Sequence, residues 1–286
     1  MKKTLSYILA IVVCLATLCG CGDTPSGGQT TDGPRDSVML RNALGMQTTD
    51  PADTNETDVL TVNEQIYEGL YTLDESGGGY QPCLAKQIDI SDDATVYTIT
   101  LQDGVKFHNG ETLKASDVVF SYQHFMDNPK YNSYTDMIEK VEALDDSHVV
   151  ITIARPYSPI LHTFFKIKIL SEKEVTSQGS DFGTIANLAG TGPYYMDAET
   201  YRPNSGWTLY AFEDYWQGAP QIKKIGYVVI EDNSSAVIAL KTVISTTCRF
   251  LSPTGRISRT LESLRPMKWS PTIFSLCAST MNPAKS

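Results

Sequence analysis

The sequence predicts a mixed α/β fold, because segments with the two-residue period of strands alternate with segments that have the period of helices. Val96–Leu101 alternates its side chains between two faces, as a half-buried strand does. Between Asp58 and Leu70, apolar residues recur at spacings of three and four, which gives a helix one apolar face. Asn109-Gly110 is a strong turn signal. Strands and helices mixed along the chain indicate an α/β or α+β architecture.

The N-terminus has the pattern of an export signal. Lys2 and Lys3 precede an uncharged apolar run, Leu5–Leu18, which is shorter than the roughly 20 residues that a helix needs to span a bilayer. The run ends in Leu-Cys-Gly-Cys, which resembles a bacterial lipobox. We therefore expect residues 1–20 to be a lipoprotein signal peptide and Cys21 to carry the lipid, at the extracytoplasmic face of the bacterial cell membrane. An ordinary cleaved signal that happens to end in cysteine is the alternative.

Composition and charge divide the rest of the chain into three parts. Residues 21–35 are mostly Gly, Ser, Thr, Pro and Asp, which predicts a flexible linker before a globular part over 36–242. The formal charge is −10, but residues 243–286 carry four Arg and two Lys against one Glu. The part before this tail is therefore strongly acidic, which argues against nucleic acid or an anionic membrane surface as the partner.

Three further structural expectations lie in the middle of the chain. Asp103-Gly104 turns the strand at 96–101 into a second strand at Val105–His108, and Ala115-Ser116-Asp117 begins a helix that continues to about Phe125. A second hairpin is predicted where 141–144 meets 149–153 across Asp145-Asp146-Ser147.

No motif of a catalytic, metal or cofactor site stands out. The histidines, His108, His124, His148 and His162, are scattered without the spacing of metal ligands, and no GxSxG elbow or phosphate loop is present. We therefore expect no catalytic residue, no metal and no cofactor. Tyrosines at 131, 134, 194 and 195 are either packing residues or a ligand-facing aromatic wall. So acidic a chain contains many carboxylate pairs, which leaves a secreted glycosidase open as an alternative.

Several stretches together resemble the family 5 extracellular solute-binding proteins of ABC importers. The most specific is YTITLQDGVKFHNGETLKASDVVFSY at 97–122, and the others stand in the order that the family has, over roughly 41–242. They are TDPAD at 49–53, IYEGLYTLD at 66–74, GTGPY at 190–194 and EDYWQGAPQIKKI at 213–225.

The resemblance implies a periplasmic-binding-protein-like (type II) bilobal fold, with an extra lobe at about 67–180 that larger receptors often have. It implies a monomeric receptor that captures a peptide, or a nickel chelate or another small solute, and delivers it to the ABC permease subunits. The residues that it assigns to ligand binding lie in the segment after Asp50, among the tyrosines and in the GTGPY turn: Asn55, Glu56, Thr57, Tyr131, Tyr134, Thr191, Gly192 and Tyr194.

The chain departs from the family pattern after Thr242. Aspartate disappears, and Arg, Ser and Thr become frequent through residues 243–286. We interpret this tail as the product of a slipped reading frame, with a natural divergent tail as the alternative, and expect the C-terminal lobe to be largely missing and ligand binding to be impaired. A surface scaffold that binds no small ligand remains the third alternative to a receptor or a hydrolase.

Overall fold

The structure is a computed structural model, and it describes residues 36–74, 76, 78–184 and 188–239, which belong to one compact unit beginning at Asp36. The predicted signal peptide, lipidation site and linker at 1–35 lie outside the described residues, as does the tail at 243–286. Among the described residues, no helix is both long and apolar enough to cross a membrane.

The described strands are β1 (Ser37–Asn42), β2 (Tyr71–Leu73), β3 (Tyr80–Pro82), β4 (Ala85–Ile90), β5 (Val96–Leu101), β6 (Ile138–Ala143), β7 (His148–Ile153), β8 (Tyr194–Met196), β9 (Gly206–Ala211) and β10 (Lys224–Val229). The helices are α1 (Thr57–Ile66), α2 (Ala115–Met126), α3 (Asn132–Thr135), α4 (Ile160–Lys166) and α5 (Glu172–Gln178). Single 3-10 turns lie at Pro51–Asp53, Pro129–Tyr131, Gly179–Asp181 and Ala198–Thr200, and residues 233–239 are helical.

The first sheet joins the two ends of the described chain. Its strand order is β1-β10-β9-β8, with β1 parallel to β10 and the other pairs antiparallel. In β9, Trp207, Leu209 and Ala211 are buried while the residues between them are half-buried, so the sheet packs one face on the core. Parallel pairing brings residue 37 beside residue 224, a contact between segments far apart in sequence.

The second sheet lies within the predicted extra lobe. It is fully antiparallel, in the order β4-β5-β7-β6, and β5 and β7 both alternate buried with half-buried residues. The predicted hairpin at 141–153 is present as β6 and β7, because the Asp145 carboxylate accepts hydrogen bonds from the backbone of Ser147 (2.7 Å) and His148 (2.9 Å) and holds the turn. Strands β2 and β3 form a small separate ribbon.

Helix α2 begins where the sequence predicts. Its third residue, Asp117, accepts a hydrogen bond from the backbone N–H of Lys114 at 2.9 Å, and its other carboxylate oxygen accepts one from the backbone N–H of Glu172 at 3.0 Å. Burial raises the pKa of the Asp117 carboxyl, and these two N–H groups lower it in part. Asp117 therefore ties the start of α2 to the start of α5.

Two local expectations differ from the structure. Val105–His108 is not a strand, since its pairing is limited to an isolated bridge between Lys106 and Thr112 around the turn at Asn109-Gly110, where Gly110 has a φ of 85°. Its last backbone N–H, on His108, donates to the Gly190 carbonyl at 2.9 Å instead of to a neighbouring strand. Helix α1 ends at Ile66 and not at Leu70, because Tyr67 is extended (φ −119°, ψ 141°) and starts the connection to β2.

Candidate functional site

The eight residues predicted to bind ligand fall into two groups at opposite ends of α1. Asn55, Glu56 and Thr57 precede or begin the helix, with Tyr131 and Tyr134 nearby. Thr191, Gly192 and Tyr194 lie instead beyond the C-terminal end of the helix, where the Gly192 N–H donates to the Ile66 carbonyl at 2.9 Å. A ten-residue helix is about 15 Å long, so the two groups belong to different places.

The first group lines a concave pocket of about 320 Å³, which we call the α1 pocket. Four of the predicted residues are in its wall: Asn55, Thr57, Tyr131 and Tyr134. The remaining wall consists of Leu60, Lys130, Ser133 and Lys166. Glu56 stands between two of the lining residues in the chain and is exposed. A volume near 300 Å³ is at the lower end of the range for small-molecule sites.

Tyr131 forms the rigid side of the α1 pocket. Its hydroxyl donates a hydrogen bond to the Pro51 carbonyl at 2.9 Å, with the Thr54 carbonyl as a second, longer acceptor at 3.4 Å. Its ring packs edge-on against Phe125 with centroids 4.6 Å apart. The side chain is 2% exposed, and burial raises the pKa of its phenol. Because the hydroxyl is already used and the side chain is almost fully buried, Tyr131 supports this side of the pocket mainly by packing. Its packing role and its place in the pocket wall therefore coexist.

Tyr134 is the more accessible of the two tyrosines. It is half-buried and lies in an aromatic row with Tyr131 (ring centroids 5.8 Å apart) and His162 (5.4 Å). The His162 ring is also hydrogen-bonded to the Tyr80 hydroxyl, and burial together with the charge of Lys166 lowers the pKa of His162. The aromatic side of the α1 pocket thus continues towards an imidazole.

A smaller recess adjoins the α1 pocket and shares Leu60, Tyr131 and Lys166 with it. Its volume is about 10 Å³, and it is also lined by Pro51, Asn63, Glu64, Phe165 and Lys168. Sequence reasoning missed Asn63, Lys130, Lys166 and Lys168. A signal was available in Lys166-Ile167-Lys168, because alternate residues of an extended segment face the same side.

The second group surrounds a buried carboxylate, that of Glu68. One of its oxygens accepts hydrogen bonds from the Thr191 hydroxyl and the Trp216 indole N–H, both at 2.9 Å. The other accepts from the Tyr215 hydroxyl at 2.7 Å and from the Cys83 thiol at 3.5 Å. Burial raises the pKa of the Glu68 carboxyl, and these four donors lower it in part. We call this cluster the Glu68 junction.

The Glu68 junction joins stretches that the sequence presents as separate motifs. Glu68 belongs to IYEGLYTLD, Thr191 to GTGPY, and Tyr215 and Trp216 to EDYWQGAPQIKKI. Burial raises the pKa of the Cys83 thiol, and the Glu68 carboxylate raises it further. Both carboxylate oxygens of Glu68 already accept hydrogen bonds from side chains of the protein. The junction therefore holds segments together rather than offering a ligand site.

Close backbone approach explains the glycines of the GTGPY turn. A Cβ added to Gly192 would lie 2.6 Å from the Gln65 carbonyl oxygen, and one added to Gly190 would overlap the Ile66 carbonyl. Tyr194, at the start of β8, is 8% exposed, and burial raises the pKa of its phenol to about 12. Thr191 is completely buried. The structure therefore places these three residues in packing roles, and a ligand-binding role for any of the eight residues stays a prediction.

His108 is hydrogen-bonded to the backbone of the GTGPY turn. Its Nε2 lies 2.9 Å from the Gly192 carbonyl, and its Nδ1 lies 3.3 Å from the backbone nitrogen of Gly190. A carbonyl only accepts and a backbone N–H only donates, so these two contacts are satisfied by a neutral ring with its proton on Nε2. Burial lowers the pKa of His108 to about 4, and backbone hydrogen bonds to Gly192 and Leu188 raise it in part. The ring contacts Phe212 and Tyr195 at centroid distances of 5.0 Å and 6.1 Å.

In the part of the chain that the structure describes, no three His, Cys, Asp or Glu side chains are grouped in a way that could hold a metal ion. Among the described residues that line the α1 pocket and the recess, Glu64 is the one carboxylate, whereas a glycosidase needs two. The arrangement suits binding of a solute between an aromatic wall and lysine side chains.

Comparison with known proteins identifies the family of the chain. Residues 79–243 match the bacterial extracellular solute-binding proteins, family 5 middle. The glutathione-binding protein GsiB of Salmonella typhi is 32% identical over 213 residues, which are 72% of this chain and 40% of that protein. The chain thus spans less than half the length of the curated relatives that it matches.

Solved structures give the same result. NikZ from Campylobacter jejuni, in complex with Ni(L-His), is 29% identical with a TM-score of 0.64, covering 73% of this chain and 42% of that one. Listeria monocytogenes OppA, bound to peptide, is 25% identical with a TM-score of 0.67, covering 75% of this chain and 45% of that one. These type II periplasmic binding proteins contain the mixed α/β fold described above, which confirms the predicted fold class. The chain belongs to the family 5 bacterial extracellular solute-binding proteins.

Proposed function

We propose that this chain contributes the α1 pocket to the substrate-binding component of an ABC importer, which captures small peptides or related solutes outside the cytoplasm and delivers them to the permease. The observation that carries the proposal is the α1 pocket of about 320 Å³, which is lined by Asn55, Thr57, Tyr131 and Tyr134 among others. Relatives named for binding glutathione and a peptide support peptides as the first ligand class. A nickel chelate is the second class, because NikZ was solved with Ni(L-His).

The physical support is that polar side chains line the pocket beside the half-buried ring of Tyr134. Tyr131, beneath this wall, is held rigid by a hydrogen bond from its hydroxyl, so little conformational entropy is lost there when a ligand binds. Asn55 and Thr57 offer amide and hydroxyl groups that suit the alternating donors and acceptors of a peptide backbone. A hydrolase is disfavoured because the described pocket wall lacks a pair of carboxylates.

Binding by the purified 286-residue chain tests the proposal. We expect a saturable rise in melting temperature with a tripeptide mixture or glutathione, of about 5–10 °C when the ligand is at 100 times its Kd. The ligands are used at millimolar concentration, because the departure after Thr242 is expected to weaken binding. Absence of a shift and of calorimetric heat with peptides, glutathione and Ni(L-His) would contradict ligand binding by this chain. Appearance of cleaved peptide in mass spectra would argue for a hydrolase.

A matched pair of tyrosine variants locates the binding site. Tyr134→Ala removes a ring from the wall of the α1 pocket and is expected to weaken binding about tenfold. Tyr195→Ala is the control, because Tyr195 is 38% exposed, stacks on Tyr210 and lies outside the pocket wall. Equal losses in the two variants would place the ligand elsewhere.

We also propose that Cys21 carries a lipid that anchors the mature protein at the outer face of the cell membrane. The support is the lipobox-like sequence at 18–21 and the polar segment that follows it. In a bacterial host, the wild-type chain is expected in the membrane fraction and Cys21→Ser in the soluble fraction. A Cys21→Ser chain that stays membrane-bound would contradict the anchor.

A further inference from the structure

Strand β1 lies at the end of the first sheet, and the backbone groups on its outer edge are unpaired. The Asn42 carbonyl accepts a hydrogen bond from the Ile230 N–H at 3.0 Å, so the even-numbered residues of β1 direct their backbone groups at β10. Because these directions alternate along a strand, the backbone groups of Ser37, Met39 and Arg41 point away from β10. They have no hydrogen-bond partner in the part of the chain that the structure describes. β1 thus presents three N–H groups and three carbonyls at the sheet edge.

The other edge strands of the two four-stranded sheets have features that discourage pairing with another chain. Strand β8 has only three residues. Strands β4 and β6 each contain a register irregularity and a lysine, Lys86 and Lys140 respectively. Short length, bulges and lysines are common ways in which proteins block a sheet edge. Strand β1 has six residues, pairs with β10 without a register shift and contains neither proline nor lysine. Of these four described edges, β1 therefore lacks every such protection.

The side chains of β1 leave an apolar group at the centre of the free edge. Arg41, the one charged residue of the strand, donates to the Ile230 carbonyl at 2.7 Å and to the Glu231 carbonyl at 3.1 Å. Both acceptors follow β10 in the chain, so the guanidinium is directed to the β10 side of the strand. Met39 is 63% exposed and lies across Gly226, where an added Cβ would overlap the Met39 sulfur. Pairing with another strand would cover this exposed side chain.

We propose that β1 pairs with β1 of a second copy of this chain, antiparallel about a two-fold axis at Met39. In this register Met39 lies opposite the partner's Met39, and Ser37 lies opposite the partner's Arg41. Each of the resulting three pairs exchanges two backbone hydrogen bonds, so all the free edge groups of Ser37, Met39 and Arg41 are satisfied. On the other face of the sheet, Val38 lies opposite the partner's Leu40 and adds an apolar contact.

A second copy suits this edge because the strand is complementary to itself. The two-fold register places apolar against apolar at the centre, a hydroxyl against a guanidinium at the ends, and no like charges opposite each other. Each copy uses its free edge once, so association stops at a dimer. One six-residue strand pair is smaller than a standard interface of about 1,600 Å², so we expect a dissociation constant in the micromolar range. The dimer does not depend on the proposed receptor function, and it differs from the monomer that the family resemblance implies.

Sedimentation velocity of the full chain over a range of micromolar concentrations tests the dimer. We expect the wild type to shift from the mass of one chain to twice that mass, without larger species. Met39→Lys places two ammonium groups opposite each other at the axis and should weaken the dimer at least about tenfold. Leu144→Lys is the matched control, because Leu144 is also 63% exposed and lies outside β1. A wild type that stays monomeric, or equal association of the two variants, would overturn the proposal.

A cysteine variant tests the register and identifies the occupant of the edge. Opposite residues of a hydrogen-bonded antiparallel pair have Cα atoms about 5.5 Å apart, which a disulfide can bridge. With oxidised glutathione as the oxidant, Met39→Cys should form a disulfide that joins position 39 of two chains, detected by peptide mapping. Leu144→Cys should form no such link between chains at position 144. A disulfide from position 39 to Cys248 or Cys277 would place residues 243–286 on the edge and refute the second copy as its occupant.

Discussion

His108 should make folding stability depend on pH in a defined window. The ring is neutral in the folded protein, because Nε2 donates to the Gly192 carbonyl and Nδ1 accepts from the Gly190 N–H. Protonation would place an Nδ1–H against that N–H and put a charge in a half-buried site between Phe212 and Tyr195. Burial therefore opposes the charged ring, and it outweighs the backbone hydrogen bonds to Gly192 and Leu188, which favour the charged ring.

The magnitude follows from the two pKa values. Burial lowers the pKa of His108 from 6.5 to about 4 in the folded protein. The stability associated with the neutral ring is fully present above the unfolded value of 6.5 and is lost as the pH falls through 4. Integration over this window gives a loss of at most about 3 kcal/mol by pH 4, because one pKa unit corresponds to about 1.4 kcal/mol.

Urea unfolding of two proteins at several pH values isolates this contribution. His108→Gln keeps a side-chain N–H for the Gly192 carbonyl but does not titrate. Between pH 7 and pH 4 we expect the free energy of unfolding of the wild type to decrease relative to that of the variant, by up to the amount given above. The contributions of all other titrating groups cancel in the difference between the two proteins. A constant difference between the two proteins would refute the neutral-ring assignment, as would a His108 pKa above 6 measured by NMR.

Three further predictions concern the Glu68 junction. Glu68→Ala removes the acceptor of three donors, of which Thr191 is fully buried and Tyr215 and Trp216 are half-buried. Urea unfolding should therefore show a loss of about 2–4 kcal/mol, and a loss below 1 kcal/mol would contradict the junction. Gly190→Ala should cost at least about 3 kcal/mol because its Cβ overlaps backbone, whereas Gly104→Ala, with open space at φ 70°, should cost about 1 kcal/mol; equal costs would refute the packing argument. Cys83, with a pKa raised by burial, should react with a thiol reagent only in urea, so the native thiol count should be the same for Cys83→Ser as for the wild type.

Local patterns predicted the elements that depend on neighbours in sequence. The period of Val96–Leu101 gave β5 at its observed bounds, and the Asp145 turn gave the hairpin of β6 and β7. The start of α2 followed from Asp117 in its first turn. The expected strand at Val105–His108 failed because its backbone hydrogen bond goes to Gly190, a partner that no local pattern shows. Hydrogen bonds to distant segments outweigh local strand propensity.

The candidate site was only partly predictable for the same reason. Resemblance to the family located Asn55, Thr57, Tyr131 and Tyr134, which the structure brings to one pocket. It did not separate them from Thr191 and its neighbours, which pack around Glu68 at the other end of α1. A motif shows that residues matter together, but not whether they hold a ligand or one another.

The sequence alone determined the family, the α/β class, the local helices and strands, and the expectation of export with a lipid on Cys21. Each of these depends on short-range patterns or on an ordered set of motifs. The tertiary structure alone decided that β1 pairs with β10, that one buried carboxylate joins three motifs, and that Lys166 and Lys168 meet Asn63 beside the α1 pocket. The physical reason is that these contacts join segments far apart in the chain, and their energies depend on burial and hydrogen-bond geometry that arise only when those segments pack.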